Sequence, residues 1–188
     1  MAQTLSQMVP LGTLAPSFAL PDVRTGQTVA RDDLHSEVAT LVMFICNHCP
    51  YVKHVQAELV RLAWDYQSKG VSVVAISSND VENYPQDGPE QMKKIAEEWQ
   101  YPFPYLYDAT QAVARAYDAA CTPDFYVYDR DWRLVYRGQL DDSRPKNNLL
   151  VTGKDLRAAL DCLVSHQPVP VDQKPSIGCN IKWKIGQV

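Results

Sequence analysis

Positive charge is scarce in this chain: 18 lysines and arginines face 22 acidic residues over 188 positions, for a formal net charge of -4. Nucleic-acid binding draws on a basic face, and none is legible, so nucleic acid is excluded as a partner. Long apolar runs are also missing. The most apolar stretch, VATLVMFIC at 38–46, falls far short of the roughly 20 residues a membrane-spanning helix needs, so no membrane partner is expected. The opening MAQTLSQMVPLGTLAPSFAL lacks a charged segment followed by an apolar one, so no signal peptide is expected and the chain reads as cytoplasmic. No Gly-rich phosphate loop, H-E-x-x-H or G-x-S-x-G occurs, which leaves nucleotide, zincin and serine-hydrolase chemistry without local support; no cofactor is implied. Internal repeats and long linkers are absent too.

What is present supports a folded α/β domain over residues 1–188. Hydrophobic residues make up 46% of the chain, enough for a sizeable core, and the thirteen prolines and eight glycines are too scattered to mark disorder. Residues 11–38 read as short strands and turns around Phe18, Leu20 and Val29. TLVMFI (40–45) and VSVVAIS (71–77) are apolar without alternation, as in strands covered on both faces. Between them Val52, Val55, Leu59, Leu62 and Tyr66 recur at steps of three and four, which predicts a helix from Pro50 to Lys69 stopped by Gly70. The unit is a βαβ crossover. Further helices are expected over 89–100 and over 110–119 with Thr110 as N-cap. FYVYD (125–129) and RLVYRG (133–138) read as a hairpin through Arg130–Trp132. A last helix is expected from Lys154 to Val164, capped by Thr152 or Gly153, before a Pro-rich tail at 168–188.

The junction FICNHCPYVKH (44–54) carries the chemistry. Cys46 and Cys49 stand three apart where a buried strand meets a helix N-terminus, whose unpaired N–H groups and dipole favour a thiolate. Lowering a thiol pKa from about 8.5 to about 6.5 raises the thiolate fraction at pH 7 from about 3% to about 75%. His48, between the cysteines, would stabilise the Cys46 thiolate and the reduced form, with Lys53 helping less directly. Pro50 is tolerated in the first helical turn. Five cysteines in a reducing compartment point to redox, catalytic or metal roles rather than a disulfide framework. Two buried thiols packed in a core, or a copper or zinc site using Cys46, Cys49 and a histidine, are the alternatives. No second C-x2-C or H-x3–5-H completes a zinc site, and no metal ligand is assigned.

FICNHCPYVKH, ACTPDFYVYD (120–129), VYRGQLDDSRP (135–145), LGTLAPSFALPD and PSIGCNIKW together resemble the thioredoxin superfamily. They are most similar to the redoxin branch related to alkyl hydroperoxide reductase and thiol-specific antioxidant proteins (AhpC/TSA), and the resemblance spans nearly the whole chain. It implies a thioredoxin-like fold: a central mixed sheet flanked by helices, with an N-terminal β-hairpin extension. It implies a redox-active Cys46–Cys49 pair, Cys46 exposed and attacking, Cys49 buried and resolving. Pro123 would be cis, with the Thr122 backbone turned towards the dithiol to pair with an extended substrate. Asn47, His48, Pro50, Thr122 and Pro123 would tune or bind. Implied partners are protein or small-molecule disulfides and thiols, and an external reducing dithiol system. A thiol peroxidase is the family alternative.

Two positions depart from family patterns. The buried acid that thioredoxins carry before the dithiol falls at Thr40, and Cys46 occupies the place of the peroxiredoxin threonine. Cys121 and Cys179 are candidate auxiliary thiols, whereas Cys162, at helical spacing from Ala158 and Ala159, is expected in the core. Asp141, Asp142 and Arg144 read as a solvated loop with internal ion pairs.

Overall fold

The computed structural model describes residues 3–185; the last three positions of the Pro-rich tail lie outside the described residues. The β-branched run becomes β4 (Ala39–Phe44) and the second apolar run β5 (Val71–Ser77), paired in parallel through the helix α1 (Pro50–Gln67). Gly70, at φ +90°, turns the chain out of α1 into β5. Ahead of them lie β1 (Gln3–Leu5), β2 (Ala19–Pro21) and β3 (Thr28–Ala30). The N-terminal hairpin implied by the resemblance is β2–β3, with Leu20 opposite Val29.

After β5 come a 3-10 turn (Pro85–Asp87), α2 (Pro89–Glu98), β6 (Tyr105–Tyr107) and α3 (Ala112–Ala116). The chain then runs through β7 (Cys121–Thr122), β8 (Asp124–Tyr128), β9 (Leu134–Gly138), α4 (Lys154–Val164) and β10 (Ile177–Asn180). The central sheet has the order β6-β5-β4-β8-β9, with β8 antiparallel to β4 and β9. It is mixed and carries helices, the thioredoxin-like arrangement.

Because strand side chains alternate, the unbroken apolar runs divide between two cores. Leu41, Met43, Val73, Ala75, Phe125 and Val127 meet α1 and α4 on one face. Val42, Phe44, Val74, Ile76, Tyr126 and Tyr128 meet Val113, Ala114 and Tyr117 around α3 on the other.

Several expectations are corrected. α3 starts at Ala112, two residues after Thr110, although Thr110 Oγ1 accepts the Ala112 N–H at 3.3 Å. Gln111 takes the N-cap position at φ +63°, and its buried amide donates to the carbonyls of Ser78 and Lys182. Asp141 is buried rather than solvated. Its carboxylate accepts the N–H groups of Thr152 and Gly153 at 2.6 and 2.7 Å, supplying the acceptor that opens α4. Only Asp142 behaves as a surface ion pair, with Lys154 and Lys174. Cys162 is half-buried on the flank of α4, whose core face is Leu156, Ala159 and Leu160.

The strand β10 has no counterpart among the expected elements. It returns from the far end of the chain and pairs antiparallel with both β1 and β7. Cys179 lies opposite Thr122, and Asn180 opposite Cys121.

Candidate active site

β4 ends at Phe44, the Ile45 N–H still donates to Ile76 O at 3.0 Å, and the chain then turns through Cys46–Cys49 into α1. Cys49 occupies the N-cap position and Pro50 the first helical residue. The Thr122–Pro123 peptide is cis and adjoins the two sulfurs. Cys46 Sγ is 3.4 Å from Thr122 Oγ1, and Cys49 Sγ is 3.1 Å from Thr122 O. The structure therefore brings Cys46, Cys49, Thr122 and Pro123 together. All five cysteines are present as thiols.

An acid that the sequence did not reveal organises the turn. Asp87, at the end of the 3-10 turn and fully buried, accepts the N–H groups of Asn47 at 2.8 Å and His48 at 3.1 Å on Oδ1. Its Oδ2 meets His48 Nδ1 at 2.5 Å and the Asn79 amide at 2.8 Å. Burial works against this carboxylate, but the His48 and Asn79 hydrogen bonds prevail and hold its pKa below the usual value. Asn47 locks the same segment from the other side: it donates to Gln86 O and accepts from the Tyr105 hydroxyl.

This rearranges the expected roles of the motif. The N–H groups that were to favour a Cys46 thiolate are spent on Asp87, which adds a negative charge beside it. His48 is 3.9 Å from Cys46 Sγ but makes its short contact with Asp87, and its ring stacks on Tyr84 at 5.4 Å between centroids. Cys46 is also not exposed; it is 1% accessible, and Cys49 is 0%. Lys53 points into solvent.

The two sulfurs titrate together. The hydrogen bond between them is the largest influence on each. It draws Cys49 from 9.0 to about 5, against burial and with help from Cys179, Thr122 and the Val52 backbone. The same bond, with desolvation and the Asp87 charge, holds Cys46 well above 9.0. The contact of Cys49 Sγ with the Thr122 carbonyl oxygen pulls the other way, because a carbonyl attracts an S–H and repels a thiolate. The direction common to these contacts is that the pair gives up one proton readily and retains the second, leaving one negative charge over two sulfurs.

Cys121 and Cys179 part company. Cys121 Sγ donates to Pro123 O at 3.6 Å, and burial, with Asp124 adding to it, pushes its thiol far above the usual range. Cys179 is hydrogen-bonded to Cys49; burial first, then that contact, pushes it up to about 12. The Thr122 backbone, expected to be open to an extended substrate, is already paired with β10.

Cys46, His48 and Asp87 offer thiolate, imidazole and carboxylate atoms within 4.8 Å of one another, a donor set that a metal ion such as zinc can use. The Asp87 oxygens are engaged by N–H donors. Thr40, where the usual buried acid is missing, donates to Leu34 O. Nothing local marked Asp87, which sits in the polar loop sequence PQDG. Gly178, beside Cys179 in IGCN, was a legible hint, since glycine within a strand often marks a close backbone approach.

The chain is similar to several known proteins. Residues 11–137 match the model of the AhpC/TSA family. An uncharacterized conserved protein from Geobacillus kaustophilus is 66% identical, with TM-score 0.98 and coverage of 99% of this chain and 98% of that one. A hypothetical protein from Sinorhizobium meliloti 1021 is 48% identical, with TM-score 0.95 and coverage of 97% and 100%. The thioredoxin domain of a thiol-disulfide oxidoreductase from Bacteroides vulgatus shares the fold at 20% identity, TM-score 0.58, over 69% of this chain and 88% of that one. No match was found among curated proteins.

Proposed function

This chain belongs to the AhpC/TSA family, within the thioredoxin-like redox proteins, and from that premise we propose that it is a thiol-disulfide oxidoreductase whose working pair is Cys46 and Cys49. The observation that carries the reading is the placement of the two sulfurs at the N-terminus of α1 against the cis Thr122–Pro123 peptide, Cys46 Sγ at 3.4 Å from Thr122 Oγ1 and Cys49 Sγ at 3.1 Å from Thr122 O. Such a pair keeps a nucleophilic charge at neutral pH, with a second thiol already in place to resolve.

In the forward direction the proton of Cys46 passes to Cys49, and the Cys46 thiolate so formed attacks one sulfur of a substrate disulfide. A mixed disulfide forms, and the first substrate thiolate leaves and takes up a proton. Cys49 then loses its proton and attacks Cys46 Sγ; the second substrate thiol leaves, and the Cys46–Cys49 disulfide holds the two oxidising equivalents. An external dithiol restores the pair. Thr122 Oγ1 supports the charge on Cys46, and Asp87 with His48 and Asn47 fixes the turn that sets the sulfur spacing. The substrates are protein or small-molecule disulfides, and a cytoplasmic location, with its reducing thiol pool, belongs to the same reading.

The test is redox equilibration followed by acid trapping and disulfide mapping. A reversible Cys46–Cys49 bond near about -270 mV marks a reductant, and one between about -120 and -180 mV an oxidant or isomerase. If that bond forms at no potential, the proposal is wrong.

A further inference from the structure

We propose that Cys179 is a third exchange thiol, which accepts the disulfide from Cys46–Cys49 as a Cys49–Cys179 bond and presents it to the reductant from β10. The inference rests on the oxidoreductase reading above and extends it to the route of electron entry.

Three observations converge on Cys179. First, the register puts it directly opposite Thr122. Cross-strand partners project from the same face of a sheet. Thr122 turns its hydroxyl to Cys46 at 3.4 Å, so Cys179 projects towards the dithiol, while Cys121, its strand neighbour's partner, projects away. It is hydrogen-bonded to Cys49.

Second, Gly178 is built for this approach. A Cβ there would lie 2.0 Å from Thr122 O and 2.6 Å from Thr122 C, with Pro123 N at 3.1 Å. Only glycine lets β10 rest on the Thr122–Pro123 peptide, and that contact sets the distance between Cys179 and the pair. The strand is held at both ends as well. Ser6 N–H donates to Ser176 O at 2.9 Å, and Lys182 N–H donates to Asn79 Oδ1 at 2.9 Å.

Third, Cys179, itself only 3% exposed, forms part of a cavity wall. It lines a cavity of about 550 Å³ together with Pro50, Tyr51 and the 144–147 loop; neither Cys46 nor Cys49 lines it. A reductant seated in this cavity meets Cys179 at the wall, rather than Cys46 or Cys49.

The exchange conserves electrons. Cys179, as thiolate, attacks Cys49 Sγ; the Cys49–Cys179 bond forms and the Cys46–Cys49 bond breaks. Cys46 leaves as thiolate and takes up the proton Cys179 released. A dithiol reductant then attacks Cys179 Sγ from the cavity and Cys49 leaves as thiolate; the reductant's second thiol attacks its own bound sulfur, closing the reductant's disulfide and releasing Cys179 as thiolate, and the two leaving thiolates take up the two protons of the reductant. Oxidising the pair also removes the charge on Cys49, one of the influences that hold the Cys179 proton.

The test maps disulfides in the full chain, in C46S and in C179S, all equilibrated in the same graded glutathione buffers. The expected result is a Cys49–Cys179 bond in C46S at an occupancy at least about tenfold above any bond to Cys162, and coexistence of Cys46–Cys49 and Cys49–Cys179 in the wild-type protein. Bonds to the half-buried Cys162 report unfolding, so a misfolded C46S is recognised, and the wild-type map then decides. If Cys46–Cys49 forms in the wild-type protein and C179S while Cys49–Cys179 appears in neither folded C46S nor wild type, the relay is overturned and the oxidoreductase reading stands. If Cys46–Cys49 forms in no sample, both are overturned.

Discussion

Replacing Asp124 by asparagine should remove much of the protein's sensitivity to pH between acid and neutrality. Asp124 opens β8 opposite Phe44 and is fully buried. Tyr126 donates to its Oδ2 at 3.1 Å, while Oδ1 has no hydrogen-bond partner among the described residues. Burial raises its pKa from 3.8 to about 7, and the Tyr126 hydrogen bond offsets only part of that. A folded-state pKa above the unfolded one means that the native state binds this proton more tightly. The stability it contributes is complete below about pH 3.8 and is lost as pH rises to about 7. Three pKa units at about 1.4 kcal/mol each amount to about 4 kcal/mol. The asparagine amide cannot titrate, so urea unfolding of wild type and D124N across about pH 4 to 8.5 isolates the group. The stability of the wild type relative to D124N should fall by about 4 kcal/mol over that range and level off above it. A difference that stays constant with pH would refute the reasoning.

Other perturbations test the supports of the site and the fold. Arg157 meets Glu58, whose side chain is 4% exposed, at 2.6 Å. R157L leaves that carboxylate, among the described residues, with the solvent-exposed Arg61 as its remaining ion-pair partner and should cost about 3 kcal/mol in chemical denaturation, a loss that adding E58Q partly reverses. D87A strips an acceptor from two backbone N–H groups, Asn79 and His48, and should cost about 3 kcal/mol. D87N keeps one oxygen for the turn and should cost clearly less in the same assay. G178A drives a Cβ against the Thr122 carbonyl. If β10 lifts to relieve it, iodoacetamide should label Cys179 at least about tenfold faster than in wild type, with Cys121 unchanged; equal rates would show that the strand has room to spare.

The elements closest to the dithiol were legible in the chain because each is written in neighbouring residues. The apolar run at 40–45 and the three-and-four spacing of Val52, Val55, Leu59 and Leu62 report burial directly, so β4, α1 and the cysteines at their junction follow from local pattern. The resemblance added Pro123 and the hairpin ahead of the sheet.

Tertiary structure alone decided what those cysteines experience. Asp87 reaches the turn from a polar loop, and with its charge and its four hydrogen bonds it takes the N–H groups that local reasoning had assigned to Cys46. The same holds for Asp141, a loop residue until the fold brings it to the start of α4. Cys179 is remote in sequence from Cys49 and stands beside it only because β10 closes on β7. Periodicity records which side of an element is buried, but not which distant residue buries it. The sequence by itself determined where the Cys46–Cys49 pair stands on its strand and helix; the burial of that pair, the charge of Asp87 beside it and the approach of Cys179 came from long-range contacts that no short window contains.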